Sequence, residues 1–154
     1  MKNIEYKRMI INEIKSLKED SRFMETVNFM QHGNTSVYEH SLKVAYISCK
    51  IAYKLKANVD YKTLIRGALL HDYFLYDWHD KNAHEGWHGF RHPRKAWKNA
   101  KKEFDLNRVE EDIILKHMFP LVPLFPLFKE SWIVCLADKI SAVYETMERK
   151  TVKA

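Results

Sequence analysis

Apolar positions recur every three to four residues over most of the chain, and that period predicts helices. Ile10, Ile14 and Leu17 share one face of a first helix over residues 4–18. Phe23, Val27 and Met30 repeat the spacing in a short second helix, which Gly33-Asn34 ends. Ser36-Val37-Tyr38-Glu39 has the form of a capping box, in which the serine and glutamate side chains satisfy free amides at a helix start. Beyond it His40, Val44, Ile47, Ile51 and Leu55 lie on one face of a long helix. Asn58-Val59-Asp60 breaks the pattern and caps the next helix. On that helix Leu64, Ala68, His71 and Asp72 fall at i, i+4, i+7 and i+8. Gly67 within it costs about 1 kcal/mol relative to alanine, which close approach of a neighbouring helix would explain.

The period is lost between Tyr73 and Phe90, an aromatic-rich stretch with His79, His84, His88, Gly86 and Gly89. It reads as a long loop, and long ordered loops are often functional. Helix resumes at His92-Pro93, since proline suits the first helical position, and Ala96, Trp97, Ala100 and Phe104 continue it inward. Asn107-Arg108-Val109-Glu110 is another cap; Val109, Ile113 and His117 follow on one face, with His117 at the helix end. Pro120, Pro123 and Pro126 forbid a helix over residues 118–128. That segment of large apolar residues packs across the domain or along an opening, or forms a subunit contact. A last helix over residues 131–149 carries Val134, Cys135, Asp138 and Ala142 as neighbours, so Asp138 sits on a buried stripe.

Composition narrows the class. A chain of 154 residues is expected to be one domain. Residues 1–32 then form a helical extension packed on the core, and residues 150–154 a frayed tail. Four glycines and four prolines are too few for a turn-rich β-sandwich or barrel, which leaves an all-α bundle of about six to seven helices. Cys49 and Cys135 stand far apart and in no CxxC pattern, as reduced buried thiols of a cytoplasmic protein would. Residues 1–13 lack the apolar stretch of a signal peptide, and no run reaches the length of a membrane span. The net charge of +6 would attract a small anionic substrate or nucleic acid. Lysines and arginines are spread along the chain, with short pairs such as Lys101-Lys102 and Arg149-Lys150, and no aromatic RNA-binding signature accompanies them. Nucleic acid is therefore the weaker partner.

The candidate chemistry lies in His40, His71, Asp72, His92, His117 and Asp138, each on an inward helix face or at a helix end. A lone histidine on an apolar stripe is usually a core residue. Adjacent His71 and Asp72, closing an apolar helix, are costly to bury unless something holds them. A divalent metal does so, because imidazole nitrogen and carboxylate oxygen both ligate such ions. Six such residues from separate segments of a helical bundle can converge on one centre.

The order His, His-Asp, His, His, Asp resembles the HD-domain superfamily of metal-dependent phosphohydrolases, over roughly residues 32–145. His40, His71-Asp72 and Asp138 match the minimal signature, and the 31 residues from His40 to His71 suit it. His92 and His117 resemble the additional ligands of the branch that binds two metals. The resemblance implies one or two divalent ions (Fe, Mn, Co, Ni, Zn or Mg). His40, His71, Asp72 and Asp138 would hold the first, and Asp72 would bridge to a second on His92 and His117. It assigns the catalytic role to His71 and Asp72, with a hydroxide between the ions attacking phosphorus. His88, Lys43 and Lys139 are candidates for substrate contacts. The implied substrate is a small anionic phosphoester, a nucleotide or related phosphomonoester or phosphodiester, and a homo-oligomer is compatible. A non-enzymatic metal- or nucleotide-binding HD module is the alternative. The chain departs from the family after the His-Asp pair: Tyr73-Phe74-Leu75-Tyr76-Asp77 stands where members often have a small apolar residue, glycine and lysine.

Overall fold

Tyr6, Ile10 and Leu17 bury one side of α1 (Asn3–Lys18), the helix that the spacing predicts. The computed structural model describes the backbone of residues 3–32, 34–76 and 88–152. Six α-helices, one 3-10 helix and one two-stranded sheet occur among the described residues, so the fold is all-α.

The second segment departs from the predicted helix. Phe23–Asn28 is a 3-10 helix, and β1 (Met30–His32) pairs antiparallel with β2 (Thr35–Ser36). A 3-10 helix has three residues per turn. Phe23 and Thr26 are therefore the buried pair, and Val27 is 45% exposed. Met30 belongs to a strand, and Asn34 lies in the turn between strands instead of ending a helix.

Helix α2 (Val37–Lys54) begins at the predicted capping box. The Glu39 amide donates to Ser36 Oγ at 3.2 Å and the Ser36 amide to Glu39 Oε2 at 2.9 Å. Its buried face joins His40 and Val44 to the small residues Ala45, Ser48, Cys49 and Ala52, while Leu55 is exposed. The face overlaps the one that the large apolar residues mark and is shifted from it, with Ile47 and Ile51 partly buried against the core. Small side chains let α3 (Tyr61–Leu70) approach. The Asp60 carboxylate caps α3, accepting from the Lys62 and Thr63 amides at 3.2 Å. From Thr63 to Leu70 every residue of α3 except Arg66 is buried, so α3 runs through the interior.

The glycine in α3 marks the predicted close approach. A Cβ at Gly67 would collide with Ile113 Cδ1 and lie 3.3 Å from Ile113 Cβ and Cγ2. Gly67→Ala is therefore expected to destabilise the protein by about 1–3 kcal/mol through overpacking, although alanine is the better helix former. Chemical denaturation measures this; unchanged or higher stability would mean that Ile113 moves aside.

Helix α4 (His88–Glu103) begins before Pro93, so His92 is in its second turn and not at its entrance. A proline this near the start removes only one intrahelical hydrogen bond, which the helix tolerates. His79 and His84 of the predicted loop lie outside the described residues. Helix α5 (Arg108–Lys116) starts at the predicted cap, where Asn107 Oδ1 accepts from the Val109 and Glu110 amides at 3.0 and 2.9 Å. Residues 118–128 form no helix, as their prolines require, and leave Phe125 and Leu127 exposed. They lead into α6 (Lys129–Val152). Cys49 and Cys135 are both buried free thiols. Among the described residues no helix is long and apolar enough to cross a membrane.

Candidate metal centre

Because α3 runs through the interior, its C-terminal end delivers His71 and Asp72 to the middle of the protein, 0% and 1% exposed. His71 is the C-cap, and its Nδ1 lies 2.7 Å from the Ala68 carbonyl. A carbonyl only accepts, so Nδ1 carries the proton and Nε2 presents its lone pair. His117, the C-cap of α5, repeats the device with the Ile114 carbonyl at 2.8 Å. His40, in the first turn of α2, uses a side chain instead. Its Nδ1 lies 3.2 Å from both carboxylate oxygens of Glu145 on α6.

The six predicted residues converge as two groups that share Asp72. On one side His40 Nε2 is 3.0 Å from Asp138 Oδ1 and 3.8 Å from Asp72 Oδ2. His71 Nε2 is 3.2 Å from Asp72 Oδ2 and 3.6 Å from Asp138 Oδ1. On the other side His92 Nε2 and His117 Nε2 are 3.1 and 3.2 Å from Asp72 Oδ1, and 2.9 Å from each other. Within each group the donor atoms lie within 4.8 Å of one another.

These atoms are close without satisfying one another. His71 Nε2 and Asp72 Oδ1 are fully buried, yet neither makes an aligned hydrogen bond. A buried polar atom in that condition costs about 1–3 kcal/mol, more when charged. Convergent imidazole nitrogens and carboxylate oxygens around such atoms fit divalent cations. The electrostatics agree. Burial opposes ionisation of Asp72, but His71 and His92 outweigh it and hold its pKa well below the usual carboxylate range. Asp138 is lowered against the same burial penalty by its hydrogen bonds with His40 and His71. Burial also disfavours charge on His40, yet hydrogen bonds to Asp138 and Glu145 hold its pKa up at about 9. His71 is raised likewise, chiefly by the Asp72 charge, while burial leaves His117 lowered. The surrounding imidazoles thus favour ionised carboxylates at the centre. Ionised carboxylates and neutral imidazoles are the forms that ligate a cation.

Two further side chains reach the centre from positions outside the predicted set. Glu145 is 5% exposed and also accepts from Ser141 Oγ at 3.2 Å. It stands two turns beyond Asp138 on α6, so the i+7 spacing is a signal that could have found it. Gln31 Nε2 donates to Asp72 Oδ2 at 2.6 Å. Gln31 comes from β1, where the sequence predicted helix, and no local pattern points to it.

The three candidate substrate contacts fall differently. Lys43 is half-exposed, with its Nζ 3.6 Å from Glu145 and 3.8 Å from Glu148. Lys139 Nζ donates to the His117 carbonyl at 3.1 Å and the Cys135 carbonyl at 3.3 Å, which fastens the end of α5 to α6. The His88 side chain lies outside the described residues. Of the aromatic residues that follow the His-Asp pair, Tyr73 and Phe74 are buried. Tyr73 Oη donates to Glu103 at 2.7 Å, and Phe74 stands edge-on to His92 with ring centres 6.1 Å apart. The departure from the family pattern therefore forms a packed aromatic wall beside His92.

No curated protein and no solved structure matches the chain. The family model described as HD domain matches residues 37–143, a span from the first turn of α2 into α6 that includes all six converging residues. HD domains are generally hydrolases, and a buried His/Asp cluster is the expected place of their metal. With more than half of its length inside that match, this chain belongs to the HD domain family.

Proposed function

We propose that this HD domain is a metal-dependent phosphohydrolase that cleaves a phosphomonoester or phosphodiester of a nucleotide at a centre of two divalent ions. The observation that carries the reading is the two-sided use of Asp72, with Oδ2 turned to His40 and His71 and Oδ1 to His92 and His117. His40, His71 and Asp138 would hold the first ion and His92 and His117 the second, with Asp72 joining both. The imidazole-rich donor sets favour transition metals over magnesium. When bound, the ions lower the pKa of a water toward neutrality and neutralise charge on the phosphoryl oxygens.

The chain's own residues supply the rest. Hydrogen bonds from His71 Nδ1 to Ala68 and from His117 Nδ1 to Ile114 stop both rings from turning and keep each Nε2 aimed inward. Two carboxylates do not cancel two divalent charges, so the loaded centre stays positive and draws an anionic phosphoester. Phe74 and Tyr73 keep water from the flank beside His92 and α4.

That same aromatic stretch, in place of the family's frequent glycine and lysine, favours one second reading, a non-enzymatic metal- or nucleotide-binding module. A panel of phosphomonoesters and phosphodiesters separates the two. Phosphoester cleavage that a chelator stops and added metal restores is the expected result. A metal-loaded protein inert toward the whole panel supports the module.

A further inference from the structure

Helix α4 concentrates positive charge beside the His92 face. Arg91, Arg94, Lys95 and Lys98 lie within three turns, and the first acidic residue on the helix is Glu103. A helix advances about 100° per residue, so the four fall within one sector of about 100°, next to the sector of His92, Ala96 and Ala100. Their spacings of three and four residues bring like charges together, and each such pair destabilises a helix by about 0.2–0.5 kcal/mol. Lys101, further along, is neutralised by Glu111 at 3.0 Å. Arg94 and Lys98 make no ion pair among the described residues. Lys95 is held with its Nζ 4.4 Å from the Tyr76 ring centre, an arrangement that leaves its charge available.

The four cations line a pocket of about 530 Å³, and no carboxylate lines it among the described residues. Phe90, Val122, Pro123 and Leu124 complete the described lining, and all four are apolar. Its size is that of small-ligand sites, roughly 300–1,000 Å³. The cations extend only about 10 Å along the helix, and the rest of the described lining is apolar. A nucleic-acid track would continue as charge. Guanidinium groups match phosphate oxygens in pairs, and Arg94, Lys95 and Lys98 so close together call for more than one negative charge.

We propose that this pocket binds an oligophosphate, a small ligand with at least two phosphate groups on the α4 cations and its organic part against Val122, Pro123 and Leu124. The proposal is independent of the metal chemistry, and its test measures binding alone. Methylenediphosphonate, which resists hydrolysis, serves as the probe in calorimetric titrations at low salt. Four samples are compared: metal-loaded wild type, chelator-treated wild type, Arg94→Ala/Lys98→Ala, and a control, Lys7→Ala/Lys15→Ala, that removes two exposed charges from α1. Chelator-treated wild type and the control should bind within about twofold of each other, and Arg94→Ala/Lys98→Ala at least tenfold more weakly. Circular dichroism checks that each sample is folded. Absence of binding to chelator-treated wild type overturns the proposal, since the anion would then belong to the metal centre. Equal affinity of the two double variants overturns it too, as does displacement of the probe by equimolar duplex DNA, which would mark a nucleic-acid surface.

Discussion

Replacing Asp72 is expected to abolish hydrolysis, because among the described residues it alone belongs to both groups of candidate ligands. Asp72→Ala removes the oxygen facing His40 and His71 and the oxygen facing His92 and His117 in one step. Losing several kcal/mol of charge stabilisation corresponds to a rate loss of roughly a thousandfold or more. Most of the metal should go with it. The substitution also leaves buried imidazoles without their counter-charge, so alanine alone would confuse lost chemistry with lost fold. Asp72→Asn keeps the volume and the ability to accept from Gln31 while weakening ligation. Metal content, thermal midpoint and hydrolysis should be measured together for both variants. A folded Asp72→Asn protein that hydrolyses as fast as wild type would contradict the mechanism.

The second large effect is expected at Glu145, which approaches the centre through His40. Its carboxylate lies against His40 Nδ1, so it fixes the tautomer that turns Nε2 toward Asp138 and makes that nitrogen a stronger donor. Removing such a partner typically weakens metal binding 10–100-fold. Glu145→Ala should show that loss in competition with a chelator of known affinity. Glu145→Gln should recover part of it, since the amide oxygen can still accept from Nδ1. Metal affinity unchanged in Glu145→Ala would mean that His40 is held by packing alone.

Features that depend on a few neighbouring residues were legible in the sequence. Ser36 with Glu39, Asp60 with Thr63 and Asn107 with Glu110 cap helices at the predicted positions, because a cap joins groups two or three residues apart. The converging histidines and aspartates were legible for another reason: a polar residue on an apolar face needs an explanation wherever the helix packs. What escaped depends on contacts between distant segments. Gln31 reaches Asp72 across 41 residues and Glu145 reaches His40 across 105, and neither breaks a local pattern. On α2 His40 and Val44 are buried and Ile47 and Ile51 partly so, as their spacing predicts, but close packing shifts the centre of the buried face toward Ala45, Ser48 and Ala52. The segment from Phe23 has α-helical spacing in the sequence, but it winds at the 3-10 period and passes into a strand.

The central claim is that Asp72 joins two metal sites, and the most direct test counts the metals. Elemental analysis of wild type and His92→Ala, each loaded and desalted identically, gives the number per chain. His92 contributes to the group around Asp72 Oδ1 and not to the group around Asp138. Two metals in wild type and one in His92→Ala is the predicted result. No metal in loaded wild type, or the same count in both proteins, would contradict it.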